Sequence, residues 1–491
     1  MTTTRTALRS LTRRLSGLAP FASLLVGGAL LLTSSEAGAQ EWMKDRRYQE
    51  GAGIRAGDVE LHPGIGGEIG YDSNWLLRSH RSGFVNSNPE GAGILRITPS
   101  FAVATLGPQR LQGADGPPPA PPSVTFRGGV SATYREFFGA DEIQKQRNVS
   151  AEANARLDVL PQRPVGFGIF AGWRRLIQPQ SATPSNPDLA FNRDDVNGGG
   201  EIIFIPGGGT LDMRVGYQAS ASLYEERNGV PYSNVTHELS FRDRWRFRPR
   251  TALFSDTTLR FMSYPNADRA TNFLNDATPF RTRIGLTGLL SDRFGTLLAV
   301  GYGATFFKNG PAVTTLQYDS INAQAEGTFY LSGGAGSGEP GQATLLLSTL
   351  TFGVVRDFQM SLLANYYTSN KAYARVVYFF GGKTLLQLDG YGEQLEFPQP
   401  FIMVGGNPVA AIRQNTPNTP IGEFTNYRVG ASFFAEHRLS DIFALNGTIS
   451  YDEMLSDTAV PSGGAAGGGG AGYYDLAWRR FQAFVGARLF W

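Results

Sequence analysis

The stretch that decides the fold is "FQAFVGARLFW", residues 481–491. Counting back from Trp491, alternate positions are Leu489, Ala487, Val485, Ala483 and Phe481, all apolar, while those between include Arg488, Gly486 and Gln482. A period of two is a β-strand with one apolar and one mixed face. The same sorting recurs upstream. In "VSAEANARLDV" (149–159), Val149, Ala151, Ala153, Ala155, Leu157 and Val159 oppose Ser150, Glu152, Asn154, Arg156 and Asp158, so all charge lies on one face. Residues 123–135 and 211–223 divide likewise, with Arg127 and Arg135 opposite Phe126 and Tyr134, and Asp212 and Arg214 opposite Met213 and Val215.

Eighteen such segments run from Leu61 to Trp491. Their connections alternate in length: 161–164, 206–209, 249–250, 291–295, 381–383 and 439–441 are short, whereas 177–192, 264–278, 397–423 and 453–472 are long. Two connections on the short side, 106–122 and 332–342, are irregular. The pattern predicts an all-β fold: a closed transmembrane antiparallel β-barrel of about 18 strands, with short periplasmic turns and long extracellular loops. A soluble β-sandwich also alternates. The length of the strands, the aromatics near their ends (Tyr134, Trp173, Tyr217, Trp245, Tyr427, Tyr451) and the terminal aromatic favour the membrane. Hydrocarbon enforces such sorting, because unpaired backbone groups there cost several kcal/mol each and an outward Arg or Lys costs about 2–4 kcal/mol at the midplane. Asp243 is the exception, since it takes the lipid phase of the strand 235–248.

The N-terminus predicts an exported chain. Arg5, Arg9, Arg13 and Arg14 precede an apolar run from Leu18 to Leu32, then "EAGAQ", which reads as a signal peptide over 1–39 cleaved after Ala39. The Arg13-Arg14 pair is a faint twin-arginine feature. A periplasmic segment, 40–59, then leads into the barrel, 60–491, and is too short for a plug domain. Loss of residues 1–39 removes a net +3 from the formal charge of +2 and leaves −1, which gives no reason to expect nucleic acid as a partner. With no cysteine, disulfides, thiolate metal sites and thiol nucleophiles are excluded. The 61 glycines and 12% aromatic residues suit strands and turns.

Chemistry-bearing motifs are sparse, and neither an enzyme activity nor a cofactor is expected. His237-Glu238 opens like a zinc-protease helix, but Phe241 stands where the second histidine belongs and the segment alternates as a strand. No G-x-S-x-G and no P-loop occurs. Gly166, Gly168 and Gly172 read as small residues on an inner face. What the lumen carries is arginine. "VTHELSFRDRWRFRP" places Arg242, Arg244, Arg246 and Arg248 on one predicted inward face, spaced about 6.6 Å apart. Arg127, Arg156, Arg214, Arg281, Arg283, Arg428 and Arg488 share the inward phase, as do carboxylates such as Asp158, Glu201, Asp256 and Glu436. One reading is an anion-attracting wall, because guanidinium binds carboxylates in a bidentate fork and charged rings set pore selectivity. The other is that Arg and Glu pair across strands and hold up a wide barrel; with only five lysines, arginine also reflects base composition.

The chain's end, with Phe481, Leu489 and Trp491 on one face, resembles the C-terminal signal read by the barrel-assembly machinery of Gram-negative bacteria, and implies that partner. At 55–75, "RAGDVELHPGIGGEIGYDSNW", the chain resembles the type 2 β-barrel porins, whose first strand runs through a proline to Tyr-Asp-Ser-Asn, here Pro63 and Tyr71, Asp72, Ser73, Asn74. The motif covers the first strand only. Members are often linked to exopolysaccharide export, including eighteen-stranded porins of myxobacterial polysaccharide pathways, and an arginine-lined alginate export barrel is an architectural likeness without matched residues. The resemblance implies a passive outer-membrane conduit for a secreted polysaccharide. The proline-rich connection 106–122 would then meet a periplasmic polysaccharide export protein, and 397–423 would fold inward as a constriction. A general diffusion porin for small anionic solutes, and a surface adhesin or scaffold barrel with an occluded lumen, are the alternatives. All three place the chain in the outer membrane, against its lipid.

Overall fold

A computed structural model describes residues 53–106, 122–161, 163–177, 192–225, 232–267, 275–308, 317–331, 348–361, 365–380, 383–398, 401–404, 407–410, 412–413, 416–420, 422–461 and 473–491, with 401–420 described for their backbone. The expected signal peptide, most of 40–59 and most of the proline-rich connection lie outside the described residues.

Eighteen long strands form the wall. They are β1 (Val59–Asp72), β2 (Ala92–Thr105), β3 (Val124–Phe138), β4 (Asn148–Val159), β5 (Val165–Leu176), β6 (Arg193–Phe204), β7 (Leu211–Tyr224), β8 (Asn234–Arg248) and β9 (Thr251–Ser263). The second half comprises β10 (Asp276–Ser291), β11 (Phe294–Lys308), β12 (Tyr318–Tyr330), β13 (Thr349–Met360), β14 (Tyr366–Phe380), β15 (Thr384–Pro398), β16 (Glu423–Ser440), β17 (Phe443–Leu455) and β18 (Trp478–Phe490). Each pairs antiparallel with its neighbours in sequence, and β18 pairs back onto β1 from Gly64 opposite Phe490 to Asp72 opposite Gln482. The sheet is therefore closed, with no free edge. A three-residue strand, Ile54–Ala56, extends the sheet beside the start of β1.

The two faces are what the alternation demands. Ile65, Ile69 and Tyr71 of β1, Phe167 and Ile169 of β5, and Phe481, Val485 and Leu489 of β18 are exposed, whereas Glu68, Asp72 and Arg488 on the opposite phase are buried. Residues opposite one another across a strand pair share a face, so these phases propagate round the wall. Tyr134, Trp173, Tyr217, Trp245 and Tyr451 all stand on the exposed outer face. A closed cylinder, apolar outside and polar inside, with short turns at one rim and long loops at the other, is an integral barrel of the outer membrane. The connections after β8 (249–250), β10 (292–293), β14 (381–383) and β16 (441–442) mark the periplasmic rim.

Asp243 does take the outer phase of β8, opposite Ser255, and its carboxylate accepts the Ser255 hydroxyl. Just beyond it the register slips: Trp245 faces Leu253, but Arg248 faces Thr251, so β8 carries one extra residue against β9. Bulges of this kind cluster at barrel rims.

The barrel seam is tied by the Tyr-Asp-Ser-Asn motif. Asp72, fully buried, accepts hydrogen bonds from Arg480 Nε at 3.0 Å, from Gln482 Nε2 at 2.9 Å and from the Asn74 N–H at 3.0 Å. Ser73 and Phe481 exchange two bonds, Ser73 N–H to the Phe481 carbonyl at 2.9 Å and Phe481 N–H to Ser73 Oγ at 2.8 Å. Asn74 donates to the Arg479 carbonyl at 2.9 Å and to the Arg78 carbonyl at 2.7 Å. At the other rim Pro63, which has no N–H to offer, accepts the Trp491 N–H at 3.1 Å.

Candidate functional site

With the wall fixed, its inner face divides into a covered and an open part. Three segments of the extracellular side turn inward. The first follows the seam motif: Trp75 and Leu76, with Ile143 of the β3–β4 connection, pack onto the inner-face row Phe484, Ile94 and Phe137, with Trp75 and Phe137 ring centroids 4.8 Å apart. Gly70 belongs to this row, and a Cβ there would come within 2.3 Å of the Phe484 ring, so glycine lets the phenylalanine lean across β1. Ser79 Oγ bonds Asp475 at 2.6 Å, and Arg81 pairs with the same carboxylate at 3.5 Å, which anchors the loop to the connection before β18.

The second inward segment is the described part of that same connection, 456–461 and 473–477. Its Tyr474 and Leu476 cluster with Leu395, Phe397 and Phe424, whose inner-face neighbours Tyr367 and Met454 pack alongside. Thr458–Pro461 and Tyr473–Asp475 also pair into a four-stranded sheet with Ile412–Arg413 and Thr416–Pro420 of the 399–422 connection. The segment expected to constrict the lumen thus shares its backbone pairing with a neighbouring loop, and the inward side chains described belong to that neighbour.

The third is the β13–β14 tip. β12 and β13 remain paired up to Ala323 and Arg356, and beyond that they part. Phe358 is then fully buried against Tyr318 at 4.3 Å between ring centroids, with the Arg281 guanidinium 4.4 Å from its ring. Gly303 of β11 leaves the room, since a Cβ there would lie 2.6 Å from Phe358. Asn275, ahead of β10, donates to Asn365 at 2.7 Å, so the tip reaches across the inner face of β11 and β12.

Seven arginines of the inner phase each stand beside a carboxylate. Arg156 bonds Asp158 at 2.9 Å and also Glu201; Arg214 bonds Asp212 at 3.0 Å; Arg283 pairs with Asp256 at 3.0 Å and Arg281 with Asp357 at 3.3 Å. Arg428 bonds Asp452 at 3.0 Å, Arg488 pairs with Glu436 in a buried contact, and Arg127 stands 3.9 Å from Asp158. Gly168 makes room for the Arg156 cluster, because its Cβ would meet Arg156 Nη2 at 2.8 Å. Ion pairing along and across strands therefore accounts for these seven. His237 and Glu238 diverge, His237 meeting the Tyr217 hydroxyl at 2.7 Å and Glu238 bonding Arg260.

The β8 ladder differs. Arg242 sits between Arg214 and Asp256, and Arg244 beside Asp212, yet Asp212 is engaged by Arg214 and Asp256 by Arg283. Among the described residues none of Arg242, Arg244, Arg246 and Arg248 has a carboxylate within 4 Å, and all four are exposed. The slip after Trp245 corrects the expected regular four-step ladder: strict inward alternation covers Arg242 and Arg244, while Arg246 and Arg248 lie at the bulge by the periplasmic rim.

No family model matches the chain, and no curated protein matches it. Solved structures show a distant likeness. OccK5 of Pseudomonas aeruginosa is 9% identical over 88% of this chain and 98% of its own, with a TM-score of 0.40. OccK2 of Pseudomonas aeruginosa, solved in complex with glucuronate, is 12% identical over 90% and 99%, with a TM-score of 0.40. A BenF-like porin from Pseudomonas fluorescens is 10% identical over 89% and 99%, with a TM-score of 0.42. The strand pairing and the two faces make this chain an eighteen-stranded outer-membrane β-barrel.

Trp75 and Phe358 were not legible as site residues. Trp75-Leu76-Leu77 is an apolar run in a connection that is polar apart from Phe84 and Val85, which is the signal available for the first. Phe358 continues the outward phase of Val354 and Arg356, and nothing in a two-residue period announces that β13 leaves its neighbour.

Proposed function

We propose that the barrel is a diffusion channel for small anionic solutes. The observation that carries this is the exposed β8 wall, where arginines face water without carboxylate partners while their neighbours are neutralised in pairs. An unpaired guanidinium attracts a carboxylate or phosphate and exchanges it readily in a wet lumen, where the attraction is screened enough to release it. The three inward segments support a small solute, since they take up part of the cross-section on the sides of β1–β3, β10–β12 and β14–β18.

Export of a polysaccharide, which the sequence favours, has less behind it. Its warrant is the likeness at Tyr71–Asn74, and those residues have a sufficient role in closing the wall. Liposome swelling tests the reading. Purified barrel should admit a monosaccharide carboxylate at least about threefold faster than the neutral parent sugar, and exclude a decasaccharide. Equal rates for the charged and neutral sugars would refute anion preference, and a barrel that passes neither is a sealed scaffold.

A further inference from the structure

The outer face of the wall is hollowed between β9 and β16. A groove of about 960 Å³ runs there, lined by Ile284, Leu298, Val300, Ala323, Val354 and Ala372. Small outer-face residues, Ala323, Ala325, Ala372 and Gly392, stand there among larger neighbours and leave the hollow. At its extracellular end the register lines up Arg356, Asn370, Gln394 and Tyr427 across four strands, in the phase of Val354 and thus on the lipid side. Arg356 donates to Asn370 Oδ1 at 2.6 Å, and among the described residues no carboxylate pairs with it. Glu396, an acidic group of the same face, accepts from Gln394 Nε2 at 3.1 Å.

We infer that this groove is a binding site for one phosphorylated glycolipid of the outer leaflet, with acyl chain along the apolar floor and phosphate on Arg356. The long loops put this end of the wall on the extracellular side, where the tyrosine belt marks the headgroup level. A guanidinium fork matches phosphate in both geometry and charge, and basic side chains at headgroup depth are the usual readers of anionic lipid. A second copy of the chain fits poorly, since the outward residues lining its own groove present the same cation and no carboxylate.

The test uses detergent-solubilised full-length barrel, native mass spectrometry, and two probes, lipid A and fully dephosphorylated lipid A. The wild-type barrel is expected to retain one lipid A at least about tenfold more tightly than the dephosphorylated form. Arg356→Gln should bring the two within about twofold. Ala372→Leu, which keeps the arginine and fills the floor, should weaken lipid A retention at least about tenfold, and gives an independent reading should the first variant not fold. Equal retention of both probes by the wild type, an unaltered preference in Arg356→Gln, full retention in Ala372→Leu, or a dimer that excludes lipid would each overturn the proposal.

Discussion

Changing Arg242 and Arg244 together to glutamine should reduce anion selectivity by an amount that can be worked out. A unit charge acts on an ion about 10 Å away with about 0.4 kcal/mol in water of dielectric constant near 80. At 0.1 M salt the Debye length is about 10 Å, which cuts this to about 0.15 kcal/mol per arginine, or about 0.3 kcal/mol for the two. Anions lose that stabilisation and cations regain it, so the anion-to-cation permeability ratio should fall about threefold, RT being about 0.6 kcal/mol. At 0.01 M, where the screening length is about 30 Å, the same reasoning gives about sevenfold. The assay is the reversal potential of the purified barrel in planar bilayers under a salt gradient, at both ionic strengths. Arg175→Gln is the control: Arg175 shares the outer phase of Trp173 and pairs with Asp194 and Glu225, so the ratio should not move. A double variant with an unchanged reversal potential, a shift that does not grow as salt falls, or an equal shift in Arg175→Gln would refute the role of the ladder.

Asp72→Asn leaves the partly buried Arg480 without its counter-ion, and as loss of one member of a fully buried pair costs about 3–5 kcal/mol at most, the urea midpoint of the barrel in lipid vesicles should drop by part of that; an unchanged midpoint removes the seam role. Trp75→Ala should raise single-channel conductance by withdrawing an indole from the inner face, at about 3–5 kcal/mol of lost packing, and constant conductance would show that Trp75 does not narrow the passage. His80, in the 73–91 connection, has its pKa lowered by burial and then by the neighbouring Arg479. The unfolded loop therefore binds more protons as pH falls through about 6.5, and the folded loop loses stability there. Hydrogen exchange of 73–91, corrected for intrinsic rate, should quicken between about pH 7.5 and 5.5 in the wild type and not in His80→Gln, and equal behaviour would dismiss the histidine.

The wall was legible because hydrocarbon leaves no latitude. Arg156 and Asp158 must face away from Leu157, and the same constraint, repeated along every strand, exposes phase, length and connection in the sequence. Partners were not legible. That Arg428 meets Asp452 and Arg488 meets Glu436 depends on the registers of β16 with β17 and of β17 with β18, which local alternation does not specify. One extra residue after Trp245 was equally silent, because Trp245 and Phe247 keep their two-residue spacing while the neighbour's register shifts. The inward segments were hardest, since a connection that folds into a lumen has the same serines, asparagines and glycines as one that projects into water, and Trp75 alone betrays the difference.

The bonds between Asp72 and Arg480 join side chains 408 positions apart. Nearly all of the polypeptide must therefore be laid down before the acid finds its base, and until the final segment arrives the opening edge of the sheet bears an unanswered negative charge. A chain stopped short of residue 478 leaves its beginning as defective as its end. The cylinder thus senses its own completion, through a pair of side chains that has no role in any shorter version of the molecule.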